Sequence, residues 1–300
     1  MNRRAWLLFL ALGLIWGIPY LLIRIAVADV SPVFVAFART CIGALLLLPI
    51  AVMRGEVRPA LRHWRPLLAF TLVEISAPWW LLGYAETHIN SSTAGLLIAT
   101  VPALTAGLLA LSGREALDGR RALGLAIGLG GVVALVGLDI DVSNGWAITA
   151  ALATALGYAL GAIIIGGPLS GVPPLGVIAV SLTVAATLYV PFVIPVWPSH
   201  ITAAAAGSIV TLGVVCTALA FLFFFSLIKE AGATRATVIT YLNPVVALFL
   251  GVLLLNEPLT PGMLVGFALV LLGSFLATWR RPATHPGPIP LDASRDGQRS

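Results

Sequence analysis

An apolar run with a central proline, ending at a lone glutamate, occurs twice in this chain at one fixed spacing. The stretch from Ser92 to Ala134 aligns without a gap with the stretch beginning at Thr234, Pro102 meeting Pro244 at an offset of 142 residues. At that offset Glu115 meets Glu257, Gly124 meets Gly266, Gly131 meets Gly273, Pro32 meets Pro174, Pro49 meets Pro191, and Trp16 meets Tyr158. Chance pairs of Leu and Ala carry little weight in apolar sequence. Pro, Glu and Gly are rarer there, and their common offset marks an internal duplication of almost the whole chain.

What the duplicated unit can fold into follows from its solvent. Hydrophobic residues make up 59% of the 300 residues and charged residues only 10%, against about 25% charged in a soluble domain. Ten apolar runs can be placed, at roughly 5–27, 32–53, 66–85, 92–112, 122–138, 146–166, 174–196, 206–228, 234–255 and 261–279. Most are close to the ~20 residues that span a bilayer. Backbone groups in lipid must bond within their own segment, so the runs read as helices. The expectation is an all-α membrane protein of ten transmembrane helices, built as two inverted five-helix repeats. Residues 1–138 form the first repeat, 139–281 the second, and 282–300 a polar, proline-rich cytoplasmic tail without fixed structure. The first run follows Arg3 and Arg4 without a convincing cleavage site and reads as a retained span.

Charge placement sets the topology. Arginines and lysines lie before the first span and after the second, fourth, eighth and tenth, while the alternate loops hold Asp29, Glu86, Asp139, Asp141 and Glu257. Both termini are then cytoplasmic, and five spans per repeat turn the second copy upside down. The net charge of +5 is accounted for by this pattern, so nucleic acid is not an expected partner. The partners are the lipid bilayer and a small-molecule solute, with proton coupling and a homodimer both compatible with the plan. Cys41 and Cys216 lie in apolar runs and suggest neither a metal nor a redox pair. No cofactor, metal or catalytic constellation is legible: the four histidines sit in loops or the tail, and there is no nucleotide-binding loop or nucleophile elbow.

Polar residues at depth are the candidate site. Glu74 lies about eight residues past Pro66, roughly 12 Å into a ~30 Å core. There it is either a proton or cation site or an ion-pair partner for Arg39. A helical wheel places Ala77, Pro78, Leu81 and Tyr84 on its side. On the first span Gly13, Gly17, Tyr20 and Arg24 form a stripe beside Trp16. Arg24 either snorkels to the outer interface or anchors a carboxylate, and Trp16 and Tyr20 either line a site or pack. On the ninth span Thr237, Tyr241 and Pro244 share a face, with Asn243 to one side. Pro102 and Pro244 are expected helix hinges. The glycine spacings at Gly124 and Gly128 and at Gly262 and Gly266 suit helix contact. Glu115 and Glu257, at the unfavourable ends of their helices for an anion, need a compensating group nearby and read as structural or gate elements.

With these residues in view the chain resembles the EamA-type transporters of the drug/metabolite transporter superfamily, over roughly residues 5 to 280. The resemblance rests on the ten spans, the duplication, and LIWGIPYLLIRIA from Leu14 to Ala26. It rests also on the central Pro102 and Pro244, and on GREAL and NEPLT at the ends of the fourth and ninth spans. Trp16, Gly17 and Arg24 match the family's first span and Arg39 its second-span arginine. The second copy departs from this, with Ser181 opposite Arg39 and Cys216 opposite Glu74. The resemblance implies an inner-membrane carrier with a central cavity lined by both halves, exporting amino acids, related metabolites or drugs. A membrane-embedded enzyme, and a channel or scaffold, are the competing classes.

Overall fold

The computed structural model describes residues 2–114, 118–139, 145–231 and 237–278. Among these, regular structure is entirely helical. The main helices are α1 (Arg3–Val27), α2 (Pro32–Met53), α3 (Trp64–Glu86), α4 (Ser91–Leu111), α5 (Gly119–Asp139), α6 (Gly145–Gly166), α7 (Pro174–Val196), α8 (Ala203–Ala231), α9 (Ile239–Leu255) and α10 (Pro261–Thr278). Local chemistry starts several of them. Asn2 accepts from the Ala5 amide at 2.8 Å, Ser31 from that of Phe34 with Pro32 leading α2, and Thr202 from that of Ala205. Each side chain satisfies an amide that the first helical turn leaves without a partner.

Eight of these helices are long and apolar enough to cross a membrane. The other two runs read as spans differ from them. α9 is shorter, its approach being a 3-10 turn at Thr237–Tyr241. α5 opens with two arginines and is rich in glycine, which lowers its hydropathy. Large apolar side chains remain exposed on the outside of the bundle, Leu45 at 74% and Phe192 at 66% among them, as lipid-facing surface requires.

The helix contacts pair off between the halves. α2 packs on α7 and α5 on α10, each against its own counterpart at the repeat offset. α1 packs on α8 and α9, and the equivalent helix α6 packs on α3 and α4. Close approach depends on glycine where α5 crosses α10. A Cβ on Gly273 would meet the backbone of Gly124 and Gly128, and one on Gly266 would lie 3.0 Å from the Gly131 carbonyl. Gly13 and Gly17 likewise admit Leu242 and Val246 of the α9 segment.

Both prolines read as hinges stand at breaks. α4 is helical over Ser91–Ile98 and again over Val101–Leu111, with Pro102 in the first turn of the second piece. α9 becomes α-helical at Asn243, with Pro244 in the same position and buried. A proline has no N–H for the preceding turn, so the ladder stops ahead of it.

Candidate functional site

The middles of α3 and α8 are widened into π turns, at Thr71–Ser76 and Val214–Leu219. These positions correspond within one residue at the repeat offset. In each, a threonine hydroxyl returns to a backbone carbonyl, Thr71 to Leu67 and Thr217 to Leu212, both at 2.8 Å. π turns inside α-helices often accompany functional sites because they re-aim side chains and leave backbone groups available.

Arg39 of α2 is brought against the second of these turns. It is buried, and its Nε donates to Thr217 Oγ1 at 2.9 Å. Its guanidinium lies 3.7 Å from the centroid of the Trp79 ring, a stacked cation–π arrangement. Tyr158, Tyr189, Tyr20 and Cys216 are within its electrostatic reach. Among the described residues no carboxylate pairs with it. A buried guanidinium with donors to spare and an aromatic wall has the chemistry to pair with an anionic group.

Glu74 sits in the first π turn, at the centre of the 23-residue α3. Its side chain occupies the space left by Gly161 of α6, and no hydrogen bond or ion pair joins it to another described residue. The pair with Arg39 weighed from the sequence is therefore not formed. Tyr158 feels both groups, so it stands between them electrostatically. The Tyr189 hydroxyl donates to the Ser76 carbonyl and ties α7 to the first π turn.

The remaining sequence candidates disperse. Tyr20 is buried beside Gly95 and within reach of Arg39. Trp16 packs on Phe221 and Phe224 of α8 at ring distances of 6.1 and 4.9 Å. Tyr84 lies against His88 at 5.1 Å. Tyr241 donates to the Ser274 carbonyl at 3.1 Å and meets Thr278 Oγ1 at 2.5 Å, anchoring α10 rather than facing the Arg39 cluster. Asn243 has a buried Oδ1 without a partner among the described residues. The side chain of Thr237, and Glu115 with the tail from 279 onward, lie outside what is described. Of the wheel neighbours of Glu74, Pro78 does face α6, against Gly157, but Ala77 is exposed. The extra residue of the π turn shifts the register beyond it, so a uniform 100° wheel misplaces Ala77 and misses Trp79. Trp79, Tyr189 and Thr217 were not singled out from sequence. Tyr158 carried one signal, its alignment with Trp16.

At the other end of α3 two acidic residues depart from their reading. Glu257 does not suffer the unfavourable end of α9. Asn256, in the left-handed region with φ 53°, turns the chain back, and the amides of Asn256 and Glu257 both return to the Gly251 carbonyl. The Glu257 carboxylate then reaches the N-terminus of α4. Oε1 accepts from the Ser91 amide and hydroxyl, each at 2.8 Å, and Oε2 from the Ser92 amide at 2.9 Å and hydroxyl at 2.5 Å. An anion there meets the positive end of a helix. The compensating group expected beside Glu257 is thus a set of hydrogen bonds. Glu86, read as an outer-loop acid, is the last residue of α3 and is fully buried. Arg24 is neither at a free interface nor beside Arg39, since its Nη1 donates to the Glu86 carbonyl.

Comparison with known proteins agrees with this architecture. The EamA-like transporter family matches residues 3–137 and again 145–279. An "Uncharacterized transporter" of Archaeoglobus fulgidus is 25% identical over 93% of this chain and 100% of its own length. The "Uncharacterized inner membrane transporter YedA" of Escherichia coli K12 is 29% identical, over 89% of this chain and 90% of its own. The "Probable terminal-alkyne amino-acid exporter" of Streptantibioticus cattleyicolor is 26% identical, over 96% and 99%. A crystal structure at 22% identity superposes with a TM-score of 0.67, covering 93% of this chain and 98% of the other, a likeness of fold. Two family domains, helices able to cross a membrane and transporter-named relatives along nearly the full length place this chain in the EamA-like transporter family, as a multi-pass membrane transporter.

Proposed function

We propose that this transporter is a secondary carrier that exports a small organic solute, such as an amino acid, related metabolite or drug, across the inner membrane. It works by alternating access between two inverted five-helix repeats, with both termini cytoplasmic. The observation that carries this is Arg39. It is a buried cation without an anionic partner among the described residues, contributed by the first half, bonded to the π turn of the second half, and walled by Trp79. An unpaired buried charge is costly, and its retention is explained if a negatively charged group of the solute completes it in part of the cycle. Thr217 and Tyr189 from the second half support the same geometry. The pairing of α2 with α7 and α5 with α10 supports a two-fold relation between the halves, which alternating access uses. The exporter named in Streptantibioticus cattleyicolor supports the outward direction.

Glu74 is the proposed coupling residue. A carboxylate in mid-helix is disfavoured as an anion, and a proton or a cationic part of the solute relieves that cost. Pro102 and Pro244 are the proposed hinges, since backbone carbonyls near each break are not held by the helix ladder. An enzyme or channel reading gains no support from a specific observation. The test is uptake and efflux of labelled solutes in proteoliposomes, with and without a pH gradient, comparing the wild type with Arg39→Ala. Saturable transport of a carboxylate-bearing solute that Arg39→Ala removes is the expected result. Transport unchanged by Arg39→Ala overturns the site.

A further inference from the structure

Glu86 stands out as a fully buried carboxyl group with no hydrogen-bond partner for either oxygen among the described residues. The groups facing it are few. From α1 come Arg24, whose Nη1 donates to the Glu86 carbonyl and whose charge attracts an ionised Glu86, and Tyr20. From α6 comes Tyr158. From the segment after α9 comes Glu257, close enough for the two carboxyl groups to repel. α2 brings Arg39, which lies deeper. On α3 itself Tyr84 packs on His88, which is exposed and bonded to Thr87.

These neighbours divide unequally between the two acids. Glu257 holds four donors from Ser91 and Ser92, and an ionised carboxylate accepts all four. Glu86 holds none. Two carboxylates in one buried place do not both ionise, and the proton belongs on the one without donors. A turn of only four residues, 87–90, joins Glu86 to the helix start that Glu257 caps. A charge on Glu86 would therefore act directly on the contact between Glu257 and α4.

We propose that Glu86 is a proton-binding site controlling closure of this end of the protein: the Glu257 clasp on Ser91 and Ser92 holds while Glu86 is a neutral acid and loosens when it ionises. Opening admits water, the Glu86 proton passes to that water, and the anion left behind repels Glu257. Rebinding of a proton restores the clasp. Only the consequence for transport rests on alternating access. The proton site and clasp stand apart from the identity of the solute and from the role of Arg39 or Glu74.

The test is hydrogen exchange of the purified full chain in detergent, without solute, following the peptide that covers residues 87–96 and correcting for the intrinsic pH dependence of exchange. Wild-type protection of this peptide falls by at least about tenfold between roughly pH 5 and pH 9. Glu86→Gln keeps high protection throughout, and Glu257→Gln shows low protection throughout. His88→Gln retains the wild-type midpoint, which assigns the titration to the carboxyl. Three results overturn the proposal: a wild type with pH-independent protection, a Glu86→Gln variant with the wild-type pH dependence, or a Glu86→Gln variant loosened at every pH, as an anion held by Arg24 would give. A wild type with pH-independent protection overturns the proposal even if a variant does not fold. Because no solute is present, failure here leaves the transport reading intact, and loss of Arg39-dependent transport leaves this result intact.

Discussion

Arg39 and Glu74 in the first half stand where the second half has Ser181 and Cys216. The backbone around them is nonetheless alike. α3 and α8 both widen into a π turn at matching depth, and α4 and α9 both break ahead of a central proline. Ser181 is fully buried with an Oγ that has no partner among the described residues, and Cys216 is buried within electrostatic reach of Arg39. Duplication has therefore kept the geometry that makes a site while leaving the charges in one half. The two halves still depend on each other, because Arg39 leans on Thr217 and Glu74 fits against Gly161. Under the proposed alternating access, charges held in one half of a paired scaffold face either side in turn.

This comparison can be broken at several points, the largest effect expected at Arg39. Arg39→Ala removes a charge-assisted contact and leaves Thr217 and Trp79 without their partner. Transport should fall by about 10- to 100-fold, measured as initial rate in proteoliposomes, and Arg39→Lys should not restore it because an ammonium lacks the planar stack. Equal losses in Ser181→Ala would show that the halves share the chemistry after all.

Gly161→Leu comes next. The added side chain runs into Glu74, and overpacking of this kind costs about 1–3 kcal/mol, read from thermal unfolding in detergent. An unchanged unfolding temperature would mean α3 and α6 are not held as closely as their glycines indicate.

A double change sharpens the point about charge. Since Arg39 and Glu74 do not pair, the stability costs of Arg39→Ala and Glu74→Ala should add to within about 0.5 kcal/mol. Rescue of one by the other would restore the ion pair. Glu74→Gln should insert and fold but lose proton-dependent transport, whereas Cys216→Ser should keep it. Wild-type pH dependence in Glu74→Gln would remove Glu74 from coupling.

The smallest effect is expected at the clasp. Glu257→Gln keeps the shape of the cap but weakens four hydrogen bonds to a charged group, at a cost of about 1–2 kcal/mol in unfolding free energy. Single cysteines placed at Arg58 and at Ser199, after removal of Cys41 and Cys216, test orientation independently. Labelling of Ser199 from outside and of Arg58 only from the cytoplasm is expected, and the reverse would overturn the inverted arrangement.

The sequence by itself determined the solvent, the helical class, the duplication and the prolines at the helix breaks. These depend on properties that add along a chain: apolar run length, the missing proline N–H, and a repeat offset that Pro, Glu and Gly positions make visible. It also determined that Glu257 needs a partner, because an anion at a helix C-terminus is unfavourable wherever that helix lies. Which group answered that need was decided only in three dimensions, by an αL residue at Asn256 that sends the carboxylate to the start of another helix. The same holds for Glu86, whose charge and position in the chain read as a loop acid until packing of α1, α6 and the segment after α9 sealed it. Trp79 and Thr217 could not be found by a helical wheel, because a π turn changes the register within a helix and leaves no apolar period to read. The Arg39 cluster as a whole joins residues from both repeats, and contacts between positions more than a hundred residues apart are set by packing, which no local pattern encodes.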